Sequence, residues 1–118
     1  SRRQSKESMP RVARPKLVRD KIPELLMRAG QRPIFHRARG DELQAFADKK
    51  ILEEAREFAR SAQIEDKIEE LIDLLEIVYF RLQLEGISVQ EAHDRMARKR
   101  RERGGFEGGV VLQSVKAL

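Results

Sequence analysis

"IEDKIEELIDLLEIVYFRLQLEG", residues 64–86, is the stretch on which the fold turns. Its apolar side chains recur at helical rather than alternating spacing. From Leu71 to Leu84 they point in nearly every direction: Leu71, Ile72, Leu74, Leu75, Ile77 and Val78 already fill most of the circumference. A helix that is apolar all round must be covered all round. A chain of 118 residues has few other helices with which to do it. The pattern therefore predicts an all-α, four-helix-type bundle completed by oligomerisation, as a homodimer or homotetramer, most simply through a two-fold axis.

The neighbouring segments fit around that helix. Gly86 stops it, and Ser88 with Glu91 forms a capping box that opens a fourth helix ending at Gly104 and Gly105. Upstream, Gly40 precedes an Asp-x-x-Gln cap at Asp41, and a helix is expected from there to about Ala62. A first helix is expected after Asp20 as N-cap, with Pro23 in its first turn and Gly30 as its stop. The one β element the pattern allows is a short ribbon pairing about 33–37 with 109–113, from "RPIFHRA" and "GVVLQSV". Residues 1–14 read as a basic flexible arm and 15–118 as one domain.

Composition narrows the class. Charged residues are 38% of the chain and aromatics 5%, which suits a charged helical protein better than a sandwich or barrel. The absence of cysteine excludes disulfides, thiolate metal sites and thiol nucleophiles, and fits a reducing compartment. No apolar run is long enough to span a bilayer, and "SRRQSKESMP" lacks the apolar core of a secretory signal, so a cytoplasmic location is expected. The net charge of +5 is local: residues 1–14 carry five basic groups against Glu7, a balance of +4, which leaves +1 for the rest. A second basic run, "RMARKRRER", covers 95–103. Solvated helix faces explain such runs more readily than a nucleic-acid footprint.

Two acid pairs stand on the apolar stripes. With Glu54 at zero on a helical projection, Glu57 lies about 60° away, amid Leu43, Phe46, Ala47, Ile51 and Phe58. Glu53 turns instead toward Lys49, Arg56 and Arg60, the water face. In the next helix Asp73 lies about 60° from Glu70, flanked by Leu74 and Ile77. On antiparallel helices the two pairs face each other. Four facing carboxylates repel strongly in a poorly hydrated site, and a divalent cation removes the conflict. Hard oxygen ligands suit Mg²⁺ or Mn²⁺, and Mg²⁺ commonly shares substrate phosphates. Spacing alone favours ordinary salt-bridged faces, and it is the placement of both pairs on apolar stripes that brings the metal reading level with that one. Lys99 and Arg103, at i, i+4 just before "GGFEGG", can clamp phosphates or simply end a solvated helix. Arg19 and Lys21 stand in the same position, between phosphate contact and a surface role. His36 and His93 have no partner at metal-ligand spacing, and no P-loop or nucleophile elbow is legible.

"KLVRDKIPE" (16–24), "KKILEEAREF" (49–58), "EELIDLLEIVY" (69–79) and "KRRERGGFEGGVVL" (99–112), in that order, resemble the phosphoribosyl-ATP pyrophosphohydrolase-like branch of the all-α nucleoside triphosphate pyrophosphatases, the MazG superfamily. Arg101 departs from the pattern, standing where a small residue is common, and the basic arm lies outside it. The resemblance implies Mg²⁺ held by E-x-x-E and E-x-x-D motifs, which map onto Glu54, Glu57, Glu70 and Asp73. It also implies a dimer or higher oligomer, and hydrolysis of a nucleoside triphosphate between its α and β phosphates to a monophosphate and pyrophosphate. House-cleaning of non-standard nucleotides is the role such members are often given. Phosphoribosyl-ATP, dUTP-like and oxidised nucleotides all stay open as substrates. In the implied chemistry Glu54 or Glu57 takes the water proton, and Lys99 and Arg103 hold the departing pyrophosphate. Phe46 or Phe58 would carry the base. The alternative reading is a non-catalytic helical module that binds nucleic acid or protein through the arm and residues 95–103. A degenerate pyrophosphatase that only binds nucleotides is a third, disfavoured by the complete set of four acids.

Overall fold

A computed structural model describes residues 14–118. Four helices follow one another: α1 (Ile22–Arg28), α2 (Gly40–Arg60), α3 (Ile64–Leu84) and α4 (Val89–Arg103). The all-α class expected from the sequence is what the chain adopts. Among the described residues there is no strand, and the ribbon expected between 33–37 and 109–113 does not form. The arm expected over 1–14 lies, apart from Arg14, outside the described residues. No helix among the described residues is long and apolar enough to cross a membrane.

The helix ends differ from expectation in instructive ways. Asp20 does not cap α1; Lys21 is the N-cap residue and makes no side-chain cap bond, while Pro23 sits in the first turn as expected. α2 starts at Gly40 rather than Asp41 and stops at Arg60 rather than Ala62, because Ser61 has turned to extended backbone (φ −69°, ψ 131°). Buried Ser61 then closes the helix itself, donating from Oγ to the Glu57 carbonyl at 2.8 Å. The Ser88 cap forms as read, its hydroxyl accepting the Glu91 N–H at 3.1 Å. Gly86 takes φ +80° in the turn that leads to it, a conformation costly for other residues.

α2 and α3, 21 residues each and so about 30 Å long, are joined by residues 61–63 alone and run antiparallel side by side. Polar contacts at both ends of the hairpin fix its register. Near the connection Lys67 donates to the Phe58 carbonyl at 2.9 Å, with its ammonium 4.6 Å from the Phe58 ring centroid. At the far end Arg81 Nε donates to Asp48 Oδ1 at 2.7 Å, and its Nη1 donates to Glu85 at 2.7 Å. Those bonds, Glu85 first and Asp48 next, raise the pKa of Arg81 above its ordinary value. α4 folds back on α3, where Tyr79 and His93 share a 2.7 Å hydrogen bond and an edge-on ring contact.

The apolar interior is small. Among the described residues, Ala47, Ile77 and Ala92 are the buried hydrophobic ones, and the largest fully buried side chain is that of Glu54. Ile64, Ile68, Leu71, Ile72 and Leu75 recur at i, i+4, i+7, i+8 and i+11 along one face of α3, all of them substantially exposed. The radius of gyration is 18.2 Å, against about 13 Å for a compact chain of this length.

Candidate metal and phosphate site

The hairpin places its acids across from one another. Glu54 from α2 is 1% exposed and Glu70 from α3 is 2% exposed. Asp73, one turn along α3, has a side chain only 11% exposed. One carboxylate oxygen from each of the three lies within 4.8 Å of the others. These are three of the four acids singled out by the helical projection. Glu57 falls outside that group, more open at 19% side-chain exposure, with the Arg60 guanidinium 3.8 Å away.

Three carboxylates this close in a poorly hydrated place require compensating positive charge. Part of it comes from the chain. Lys50, four residues before Glu54, holds its ammonium 3.4 Å from Glu54 Oε1 and 3.0 Å from Glu53 Oε1. Arg19, from the non-helical segment ahead of α1, donates from Nη2 to Asp73 Oδ1 at 2.8 Å, and its Nη1 stands 3.8 Å from Glu76. Glu54 and Glu70 have further partners. Even so, Glu54 Oε2 and Glu70 Oε2 are buried oxygens that accept no hydrogen bond. Oxygen-only donors, two of them presenting such an atom, fit a hard divalent cation of the Mg²⁺ or Mn²⁺ type.

Beside the acids opens a cavity of about 260 Å³, lined on its polar side by Arg19, Lys50, Glu54, Asp73 and Glu76. Leu17, Val18, Ile77 and Phe80 give it an apolar wall. Phe80 is thus the aromatic residue at the site. Phe46 and Phe58, expected to carry a base, instead lie under the ammonium groups of Lys49 and Lys67. Lys99 and Arg103 line a different pocket along α4, with Arg95, Arg98, Glu91 and Glu102. Lys21 is exposed at the start of α1, away from the cavity lining. Within one chain, then, Arg19 is the proposed phosphate ligand that reaches the acids.

Two participants escaped the reading of the sequence. Lys50 falls about 40° from Glu54 on the helical projection, a signal that was there. Glu53 was placed on the water face, yet its side chain is only 26% exposed, held by Lys50 and approached by Lys16 at 3.8 Å. The histidines are engaged elsewhere, His36 with Glu42 at 3.0 Å and His93 with Tyr79.

The sequence profile described as phosphoribosyl-ATP pyrophosphohydrolase matches residues 24–100, a span that contains α2, α3, all four candidate acids and most of α4. The chain belongs to the phosphoribosyl-ATP pyrophosphohydrolase family. Neither a curated protein nor a solved structure matches it. Family membership implies pyrophosphohydrolase activity in general and a nucleotide substrate, and members of the family are typically dependent on a divalent metal.

If the three-acid cluster binds a divalent cation, Mn²⁺ at about 100 times its dissociation constant adds about 2.7 kcal/mol of stability, visible as a rise in melting temperature. Glu70→Gln is expected to remove that rise while leaving the helical circular dichroism spectrum intact. An equal Mn²⁺-induced rise in the variant would separate the cluster from metal binding.

Proposed function

We propose that the protein is a Mg²⁺-dependent nucleoside triphosphate pyrophosphohydrolase that cleaves between the α and β phosphates, releasing a nucleoside monophosphate and pyrophosphate. The observation that carries this reading is the convergence of Glu54, Glu70 and Asp73 within 4.8 Å, in a chain of a pyrophosphohydrolase family. Glu54, Glu70 and Asp73 hold Mg²⁺, with Mn²⁺ as a substitute. An ion held there would supply neutralisation of phosphate charge and a lowered pKa for a bound water. Water attacks the α phosphorus as the bond to the bridging oxygen of the β phosphate breaks. Glu57, outside the cluster and more open to solvent, accepts the water proton. Arg19 and Lys50 stabilise charge on the departing pyrophosphate. The nucleoside rests on the apolar wall made by Leu17, Val18 and Phe80. A wall with few polar groups discriminates weakly among bases, which suits removal of modified nucleotides in a cytoplasmic house-cleaning role.

The active form in this proposal is a dimer built on the exposed α3 stripe, with a second copy of the chain as its occupant. The large radius of gyration and the small interior of one chain support it. A two-fold pairing through this stripe is self-complementary and closes on itself. It also gives Lys99 and Arg103, remote from the acids of their own chain, a route to phosphates held by the partner.

Incubation with a panel of standard and modified nucleoside triphosphates is expected to give monophosphate and pyrophosphate in equal amounts with Mg²⁺, and none with EDTA. Asp73→Asn and Glu57→Gln should each lower kcat by about 10²-fold or more. Ordinary turnover in both variants would contradict the assignment. Leu71→Glu combined with Leu75→Glu should convert a dimer to a monomer in analytical ultracentrifugation. A wild-type protein already monomeric at micromolar concentration would rule out the dimer.

A further inference from the structure

We infer that Arg19 is an exchangeable counter-ion: it neutralises Asp73 while the metal site is empty and transfers to the substrate phosphates when the site fills. The inference rests on the metal-site reading above and adds an order of events to it. Arg19 and Asp73 are 54 residues apart in sequence, yet the guanidinium donates to Asp73 Oδ1 at 2.8 Å. The pair is asymmetric. Asp73 is fixed on α3 with its side chain 11% exposed, whereas Arg19 is 51% exposed and comes from a non-helical segment. Of the two partners, Arg19 is the one able to swing away.

Lys50 provides the contrast. Its side chain is 12% exposed and lies between Glu53 and Glu54 on its own helix, so it has less room than Arg19 to leave and keeps Glu53 as a partner outside the cluster. The Asp73 carboxylate cannot give full charge both to a divalent cation and to a guanidinium, because the two cations repel each other at such range. Arg19 also lines the cavity beside the acids, and its planar fork matches two phosphate oxygens. Metal therefore competes with Arg19 for Asp73, and triphosphate competes with Asp73 for Arg19, so the two ligands draw the ion pair apart from opposite ends. Each makes the other's binding easier, by the same factor in both directions. Arg19 is in this sense the residue that makes the empty site reluctant to take metal without substrate.

The experiment is a titration of metal-free protein with Mn²⁺ alone, following the paramagnetic resonance of the unbound ion, in wild type, Arg19→Gln, Arg19→Lys and Glu70→Gln. Arg19→Gln is expected to bind Mn²⁺ about fivefold tighter than wild type, since the competing pair is gone. Arg19→Lys, which keeps the charge, should stay near wild type. With Mn²⁺ saturating, binding of the α,β-methylene analogue of ATP should be weaker in Arg19→Gln. Unchanged or weaker Mn²⁺ binding by Arg19→Gln, beside normal binding by wild type and loss in Glu70→Gln, would overturn the exchange while leaving the metal site standing. Failure of wild type to bind Mn²⁺ would overturn both.

Discussion

Moving a carboxylate out of water costs several kcal/mol unless opposite charge is returned to it. This chain buries Glu54 and Glu70 more completely than most of its own leucines and isoleucines. The remaining architecture can be understood from that constraint. The acids must come from two helices so that they converge, the helices must be antiparallel neighbours, and the register must be held tightly enough to keep three oxygens within 4.8 Å. A short connection closed by Ser61 gives the first two conditions. Lys67 at one end and the Arg81–Asp48 bond at the other give the third. The hydrophobic contribution is modest by comparison, with three buried apolar residues among those described, two of them alanine. Small side chains at Ala47 and Ala92 permit close approach of helices but contribute little transfer free energy.

The same economy explains the exposed face of α3. A helix whose buried side is partly occupied by acids has to find its hydrophobic stabilisation on another side. Ile64, Ile68, Leu71, Ile72 and Leu75 form that other side, and one chain leaves them open. One helix thus turns carboxylates toward α2 and aliphatic side chains outward, and the proposed dimer would cover the second face.

Much of this was legible in the sequence, because it is local. The extent of α3 follows from period and from Gly86, and the Ser88 cap from a four-residue pattern. The acid pairs were visible as charges at i, i+3 among apolar neighbours. What separates Glu57 from the other three acids is not local: the projection gives it the same face as Glu54, and only the register against α3 leaves it outside the group. The Arg19–Asp73 pair joins residues 54 apart and has no sequence signature. Lys50 lay on the inward face, but a lysine stem can lie along apolar surface with its head in water, so periodicity does not reveal what its ammonium meets. The ribbon failed for a related reason. β-branched character shows that a segment tolerates extension, while pairing depends on a partner strand brought alongside, and both 33–37 and 109–113 are irregular here.

The central claim is that the three buried carboxylates are a cation site, and diffraction from crystals grown with Mn²⁺ tests it most directly. Anomalous scattering should place one ion among Glu54, Glu70 and Asp73, with carboxylate oxygens at about 2.1 Å. Density that puts no ion there, with Mn²⁺ in excess and the acids still covered by Lys50 and Arg19, would contradict it.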